Sequence, residues 1–205
     1  MSALSDVVLP RHCAGCRAPG EWLCSSCYDA CEPEPLSLAP GLSGWSGGTF
    51  AGPLREALHA FKYGGGHALA NELGALVARL VAADLATGTP LDAIVPVPLH
   101  RGRLRERGYD QALLLGERIA RSCGLPLLPA LHRIRRTGPQ VALDRAARAG
   151  NLGGAFVGIA GSLRGLRVGL VDDVVTTGAT LRSAAAAARA CGARSVRAYV
   201  VASDE

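Results

Sequence analysis

The sequence predicts an α/β fold built on a parallel sheet, with a small cysteine-rich zinc-binding module at its N-terminal end. Three observations lead to this prediction: helix and strand patterns alternate from residue 49 onwards, five of the seven cysteines lie within Cys13–Cys31, and 205 residues suffice for one sizeable core. Apolar residues make up 49% and charged residues 19% of the chain, which is typical of a globular protein and excludes wholesale disorder. We therefore expect a zinc module over residues 1–32, a linker over 33–48 and an α/β domain over 49–205.

The predicted module contains two closely spaced cysteine pairs, Cys13-Ala-Gly-Cys16 and Cys24-Ser-Ser-Cys27. In each pair two sulfurs can reach one ion from a tight turn, so the two pairs together complete a tetrahedral thiolate shell for Zn²⁺. A pair of disulfides is the alternative, which a reducing cytosol disfavours. Because four sulfurs leave no open position for a substrate, the predicted zinc is structural. Two flanking residues remain alternative ligands: His12 and Cys31.

The first elements of the α/β domain follow from composition and apolar spacing. Residues 33–48 are rich in Pro and Gly and therefore indicate a linker. Gly52-Pro53 then opens a helix with proline at its first position, and apolar residues follow at helical spacing as far as Phe61. Leucines and valines recur on one face of a second helix over Ala68–Leu85.

The later elements alternate between the two periodicities. Ala93–Pro98 predicts a buried strand that ends at Pro96, because proline cannot donate to the ladder. The same reasoning predicts four further elements: a helix over Gln111–Cys123, a strand over Arg167–Val171, a helix over Ala179–Cys191 and a strand over Ser195–Val201. Strands that alternate with helices imply a parallel sheet covered on both faces, whose ligands lie beyond the carboxyl ends of the strands.

Positive charge is concentrated in the middle of the chain. Residues 101–148 contain eleven Arg against four acidic residues, a net charge of +7, whereas the whole chain carries +5. Arginine forks bind phosphate groups bidentately. Single-stranded DNA is one candidate ligand for this segment, but an aromatic content of 4% offers few rings on which bases could stack.

An acidic pair and a hydroxyl-rich turn follow the predicted strand at Arg167–Val171. Asp172 and Asp173 are followed by Thr176-Thr-Gly-Ala-Thr180 and then by a helix. Backbone N–H groups, the helix dipole and threonine hydroxyls at a helix N-terminus favour a phosphate, whereas carboxylates favour hydroxyls or Mg²⁺. A ribose phosphate satisfies both demands, and an N-capped helix with an exposed acidic turn is the alternative.

Val168–Thr180 resembles the 5-phosphoribosyl-1-pyrophosphate (PRPP) motif of type I phosphoribosyltransferases, and nearly the whole chain resembles the ComF family, which joins such a domain to a cysteine-rich zinc module. Further blocks carry this resemblance: Phe61-Lys-Tyr-Gly-Gly, Val95-Pro-Val-Pro-Leu-His-Arg101, Arg107-Gly-Tyr-Asp-Gln111, Thr137-Gly-Pro-Gln140, Arg148 with Asn151, and Gly154-Ala-Phe156. The resemblance implies a type I phosphoribosyltransferase-like fold and Mg²⁺-dependent displacement of pyrophosphate from PRPP.

The resemblance also implies roles for individual residues. Asp172 and Asp173 would hold the ribose 2- and 3-hydroxyls, directly or through Mg²⁺. The 5-phosphate would be held by the threonine loop: Thr176, Thr177, Gly178, Ala179 and Thr180. Pyrophosphate would be held by the loop that follows the strand at Ala93: Pro98, Leu99, His100 and Arg101. Lys62 would either stabilise its helix end or face the ligand.

Three positions qualify these expectations. The stretch from Arg101 to Arg107 stands where the enzymes have a mobile lid, and both arginines would act on the leaving group. Purine-salvage members carry an acid at the position of Thr176, so its threonine argues against an oxopurine acceptor. Many ComF-like chains have Asn at the position of Asp110, where an extra negative charge would weaken pyrophosphate binding unless it is paired.

Two classes of function remain open from the sequence. The chain is either a phosphoribosyltransferase of unassigned acceptor, or a non-catalytic PRPP-sensing component that docks a partner through its zinc module. ComF proteins are associated with competence, the uptake of DNA, so the implied partner is a helicase-like or other competence protein. With no signal peptide and no long apolar segment, we expect a cytoplasmic protein without membrane insertion.

Overall fold

The computed structural model describes residues 12–63, 68–134 and 154–204. Along the chain the elements are α1 (Ser25–Asp29), β1 (Glu34–Ala39), β2 (Leu42–Ser46), α2 (Gly52–Tyr63), α3 (Leu69–Ala86), β3 (Ala93–Pro96), α4 (Arg101–Arg107), α5 (Gln111–Cys123), β4 (Leu131–Arg133), β5 (Phe156–Gly158), β6 (Arg167–Val175), α6 (Ala179–Ala190) and β7 (Ser195–Ser203).

The centre of the fold is a five-stranded sheet in the order β1-β2-β7-β6-β3. β2, β7, β6 and β3 run parallel, and β1 pairs antiparallel with β2 at the edge. β4 and β5 form a separate antiparallel pair. The predicted α/β class with a mostly parallel sheet is therefore confirmed.

Helices cover both faces of the sheet, as its apolar composition requires. α3 and α5 pack against each other and against one face, and α6 packs on the other. The two cores lie on opposite sides of β7, where Tyr199 faces the α3 side and Val200 faces α6. The predicted helical spacing is confirmed in α2, whose buried residues are Leu54, Ala57, Leu58 and Phe61.

Residues 33–48, which the composition indicated as a linker, instead contain the β1–β2 hairpin that widens the sheet. β2 pairs in parallel with β7 over Gly44–Ser46. A Cβ atom at Gly44 would overlap the Ala198 carbonyl of β7, so this glycine permits close approach of two strands rather than flexibility. Pro35 lies in β1, the edge strand, where proline is tolerated.

The cysteine-rich segment shares a core with the α/β domain. Cys13, Leu23 and Cys27 are buried in the same apolar cluster as Leu54. A Cβ atom at Gly15 would lie 2.7 Å from the Cβ of Pro53, which shows how closely the first cysteine turn packs on the start of α2. Unfolding of the cysteine segment would therefore expose the start of this helix.

Candidate functional site

The acidic pair lies within the last residues of β6 rather than beyond the strand. β6 continues to Val175, so both acids lie within the strand, and Asp172 is paired with Val200 of β7. The N–H of Asp173 donates to Oδ1 of Asp172 at 2.9 Å, and the N–H of Val174 donates to Oδ1 of Asp173 at 2.7 Å. These bonds fix both carboxylates at the carboxyl edge of the sheet.

Burial raises the pKa of the Asp172 carboxyl well above its ordinary value, and the negative charge of Asp173 raises it further. A hydrogen bond from the backbone of Asp173 and the charge of Lys62 act in the opposite direction, whereas Asp110 adds to the increase. A cation or a set of hydroxyl donors at this position would relieve the repulsion.

Lys62 supplies a positive charge to the pair. Its Nζ lies 3.0 Å from Oδ2 of Asp173, and the two side chains are only 17% and 15% exposed. The same ammonium lies 6.0 Å from the centre of the Phe50 ring. Lys62 therefore faces the acidic pair, and its place in the last turn of α2 also suits the helix dipole.

The threonine loop turns from β6 into α6 at Gly178. Gly178 has φ +70°, a left-handed conformation that residues with a Cβ atom rarely adopt. The N–H of Ala179 donates to Oγ1 of Thr177 at 3.4 Å, and Nη1 of Arg182 donates to the Thr177 carbonyl at 2.8 Å. A cavity of about 40 Å³, lined by residues 174–181, lies inside this turn. Its walls include Thr176 and Thr180.

The loop after β3 reaches the same edge because β3 pairs with β6. Pro96 lies opposite Val171 in the ladder, and the N–H of Val97 donates to the Val171 carbonyl at 2.9 Å. Pro98 and Leu99 follow, both half-buried. The N–H of Leu99 donates to Oδ2 of Asp110 at 2.9 Å.

The basic stretch begins α4, a helix of seven residues with no buried member. His100 caps it, because its Nδ1 accepts from the N–H of Gly102 at 3.1 Å. Arg101 is exposed. Arg107 is half-buried, with its guanidinium 5.3 Å from the Tyr63 ring centre and its Nη1 donating to Oε1 of Gln111 at 3.1 Å. The expected lid segment is thus helical, and its last arginine is held by neighbouring elements.

Three further charged residues contribute to the site, and the sequence singled out only Asp110 among them, although not for the bonds that it makes here. Asp110 bonds the loop after β3, and Arg182 holds the threonine turn. Burial lowers the pKa of the Arg133 guanidinium, whereas the charge of Asp172 raises it and that of Arg103 lowers it. Only Asp110 could have been found, because Asp directly before a helical pattern is a typical N-cap.

The four paired cysteines come together as the spacing predicts. One ligand atom from each of Cys13, Cys16, Cys24 and Cys27 lies within 4.8 Å of all the others, and the Sγ atoms of Cys16 and Cys24 are 3.5 Å apart. In a tetrahedral site with Zn–S bonds of about 2.3 Å, neighbouring sulfurs are about 3.8 Å apart. The cluster therefore fits a zinc ion, and all seven cysteines are free thiols.

The electrostatics of the cluster also favour a cation. Burial raises the pKa of Cys13, but backbone N–H groups, first that of Cys24, lower it to about 6. Burial and the neighbouring sulfurs raise the pKa of Cys27. Of the two alternative ligands, Cys31 donates its thiol to the Cys27 carbonyl at 3.3 Å, and His12 pairs through its backbone with Pro19.

A second cavity, of about 260 Å³, lies between the cysteine segment, the loop after β2 and the start of α2. Glu34 lines it, and its carboxylate accepts from the hydroxyls of Thr49 and Ser203, both at 2.6 Å. These two bonds, first that from Ser203, lower the pKa of Glu34. Ser203, which bonds Glu34, ends β7 opposite Val175 of β6, so the cavity lies on the same carboxyl side of the sheet as the acidic pair.

Some predicted features lie beyond the description. Two blocks of the resemblance, Thr137-Gly-Pro-Gln140 and Arg148 with Asn151, are outside the described residues. Within the described residues, no helix has both the length and the apolar character needed to cross a bilayer.

The chain is similar to a known domain family and to several known proteins. Residues 113–205 match the phosphoribosyl transferase domain family. The chain is 38% identical over 112 residues to competence protein F of Haemophilus influenzae, which covers 53% of the chain and about half (48%) of that protein. It is 31% identical over 183 residues to DNA utilization protein YhgH of Salmonella typhi, which covers 86% of the chain and 75% of that protein.

Among solved structures, the chain is similar to glutamine PRPP amidotransferase from B. subtilis. The sequence identity is 22%, the TM-score is 0.47, and the match covers 64% of this chain and 26% of that one.

Proposed function

The chain belongs to the ComF family, and we propose that its α/β domain binds PRPP at the carboxyl edge of the sheet and transfers the phosphoribosyl group to an acceptor, releasing pyrophosphate. One observation carries the proposal: the acidic pair and the threonine turn lie in succession at the carboxyl end of β6, with a small cavity inside the turn. Brought together, these groups match the two halves of a ribose phosphate.

The 5-phosphate would occupy the threonine turn. Backbone N–H groups at the start of α6 point into such a turn, and the helix dipole favours an anion there. Arg182 fixes the turn from outside through the Thr177 carbonyl at 2.8 Å. The positive φ of Gly178 lets the backbone fold around the phosphate without a side chain in the way.

The ribose hydroxyls would donate to Asp172 and Asp173. Lys62 Nζ lies 3.0 Å from Oδ2 of Asp173, so a hydroxyl would share or replace this contact. The hydroxyls would offset the repulsion that raises the pKa of Asp172.

Magnesium enters the proposal together with the substrate. Two adjacent carboxylates fit the donor set of Mg²⁺, which is typically bound by one or two carboxylates and by substrate phosphates. Within the described ranges, the four cysteines are the one group of three or more potential ligands, so a site completed by pyrophosphate suits this edge better than an all-protein cage. The ion would neutralise charge on the departing pyrophosphate.

Pyrophosphate itself would lie against the loop from Pro98 to Arg101. The exposed guanidinium of Arg101 can approach the departing charge, and we assign Arg107 to the same task if it leaves Tyr63. The N–H groups of Leu99 and Gly102 are already bonded within the protein, so they are not available to the ligand in this arrangement.

The acceptor would enter the cavity of about 260 Å³ beside Ser203. Its lining includes Glu32 and Glu34, which favour a molecule that donates N–H bonds. We therefore expect an amine, an amide or a nitrogen base as the nucleophile.

The cysteine cluster would hold one structural zinc and present a docking surface. The relatives are named for competence and for DNA utilization. We propose a setting in the cytoplasm and a helicase-like or other competence protein as the partner of this module.

Calorimetric titration with PRPP and Mg²⁺ tests the proposal. Asp173→Ala and Thr177→Ala should each weaken PRPP binding about 10- to 100-fold. Asp173→Ala would lose the carboxylate that accepts from the ribose, and Thr177→Ala would lose the hydroxyl that donates to the phosphate; a hydrogen bond with a charged group contributes about 1.5–3 kcal/mol. Thr87→Ala is the matched control and should bind PRPP as the parent protein does. The Thr87 hydroxyl donates to the Asp84 carbonyl at the end of α3, far in sequence from the site.

Pyrophosphate release across a panel of bases, ammonia and amides then separates the two functions. Release with an N–H donor supports the transferase. PRPP binding without release from any acceptor supports the sensing function, and no PRPP binding by the parent protein refutes both.

A further inference from the structure

We propose that Asp110 is a positioning residue for the pyrophosphate loop, an inference that rests on the proposed function. Its carboxylate joins the start of α5 to the backbone of Leu99 and so sets the path of the chain from Pro98 to Arg101. Asp110 would act on pyrophosphate through this loop and would not touch the ligand.

Both carboxylate oxygens of Asp110 are used. Oδ2 accepts from the N–H of Leu99 at 2.9 Å, and Oδ1 accepts from the N–H of Leu113 at 3.2 Å. The second bond is the N-cap of α5, where a negative charge also meets the positive end of the helix dipole. A single side chain therefore fastens the loop to the N-terminal end of a 13-residue helix.

The residues on either side of Asp110 hold that helix end in place. The hydroxyl of buried Tyr109 donates to the Phe61 carbonyl in α2, and the Tyr109 ring packs at 5.9 Å from the Phe61 ring centre. Gln111 accepts from Arg107. α2 also carries Lys62, which pairs with Asp173. The segment from Arg107 to Gln111 therefore contacts both the pyrophosphate loop and the helix that pairs with the acidic pair.

The charge of Asp110 has an opposing effect. Burial raises the pKa of this carboxyl, and the charge of Asp173 contributes to the increase, while the N–H groups of Leu99, Leu113 and Ala112 lower it. A carboxylate near an anionic ligand repels it, so loss of the charge alone would strengthen pyrophosphate binding. Positioning and repulsion therefore predict opposite signs when Asp110 is replaced.

Asp110→Ser separates the two bonds. Serine is as good an N-cap as aspartate, so the bond to Leu113 can persist, but its hydroxyl is too short to reach Leu99 as well. Asp110→Asn is the second variant, because its one carbonyl oxygen can serve either the cap or the loop but not both. Thermal unfolding of both variants checks that the fold is retained.

The probes are PRPP, pyrophosphate and ribose 5-phosphate, each titrated with Mg²⁺ into the full chain. We expect Asp110→Ser to weaken PRPP and pyrophosphate about fivefold, which corresponds to one hydrogen bond of about 1 kcal/mol. Ribose 5-phosphate, which lacks the pyrophosphate, should bind within about twofold of the parent protein. A general loss of structure would weaken all three probes.

The outcomes are decisive. If folded Asp110→Ser binds pyrophosphate as tightly as the parent protein, or more tightly, Asp110 acts by charge and the inference is overturned. Equal weakening of ribose 5-phosphate also overturns it, because the effect would then not pass through the loop. If the parent protein binds none of the probes, the proposed function fails and this inference fails with it.

Discussion

The ion pair between Lys62 and Asp173 links α2 to the acidic end of β6, and its strength can be worked out from the structure. The two charged atoms are 3.0 Å apart and both side chains are more than four-fifths buried. At an effective dielectric constant of about 20, two unit charges at this distance attract by about 5–6 kcal/mol. Desolvation cancels most of this energy, and fully exposed pairs contribute only about 0–1 kcal/mol. We therefore expect a coupling energy of about 1–2 kcal/mol for this pair.

A double-mutant cycle measures that coupling. Lys62→Met keeps the apolar stem and removes the charge, while Asp173→Asn keeps the Oδ1 atom that accepts from the N–H of Val174. Urea unfolding of the parent protein, both single variants and the double variant gives the coupling as the departure from additivity.

A second cycle supplies the control. Asp92 bonds Arg167 at 2.6 Å at the amino end of β6, the opposite edge of the sheet. Lys62→Met combined with Asp92→Asn should be additive within about 0.5 kcal/mol. A coupling below this value for Lys62 with Asp173 would refute the reasoning, because the contact would then carry no more energy than two distant sites.

Two further perturbations have predictable signs. Metal analysis should find one zinc per chain. Removal of this zinc with a chelator should open residues 12–32 to protease and lower the melting temperature of the whole domain, because Cys13 and Leu23 share a core with Leu54. An unchanged melting temperature would contradict the shared core. Asp172→Asn should gain stability relative to the parent protein as pH rises from 5 to 8. The raised pKa of Asp172 means that the native state binds the proton more tightly than the unfolded state, so stability falls as pH rises above the ordinary value of about 4. Asp92→Asn is the control of opposite sign: Arg167 lowers the pKa of Asp92 to about 2, so the parent protein is the more stable at neutral pH and loses this advantage in acid. Urea midpoints at several pH values measure both, and parallel profiles would contradict the assignment.

Much of the fold could be predicted because its helices have one apolar face. Burial in α2 and α3 follows the spacing of leucine and valine, and the predicted range of α5 is the observed one. The β1–β2 hairpin was missed for a physical reason. β1 is an edge strand without a fully buried residue, and Gly44 of β2 is selected by the approach of Ala198 from a distant part of the chain.

The acidic pair and the threonine turn could be predicted because they are local in sequence. The contacts that position them are not local. Lys62 meets Asp173 across more than a hundred residues, and a bond between Asp110 and Leu99 depends on how α5 packs against β3. Residue spacing predicts which groups lie near a strand end. It does not predict which groups from different strands and helices come into contact, because that depends on the order of the strands in the sheet.

The energetics of the acidic pair bear on its purpose. Burial and repulsion from Asp173 raise the pKa of Asp172, and the charge of Asp110 raises it further. Three carboxylates therefore repel one another here, and Lys62 is the cation paired with Asp173. Neutral side chains could make the same hydrogen bonds to the backbone of Asp173 and Val174 without that cost. A sequence that keeps two adjacent carboxylates at a buried strand end therefore gives up stability that only a ligand can restore, by donating hydroxyl groups or by bringing a cation. This is why we expect Asp172→Asn to be more stable than the parent protein at neutral pH and yet unable to bind PRPP with the same affinity.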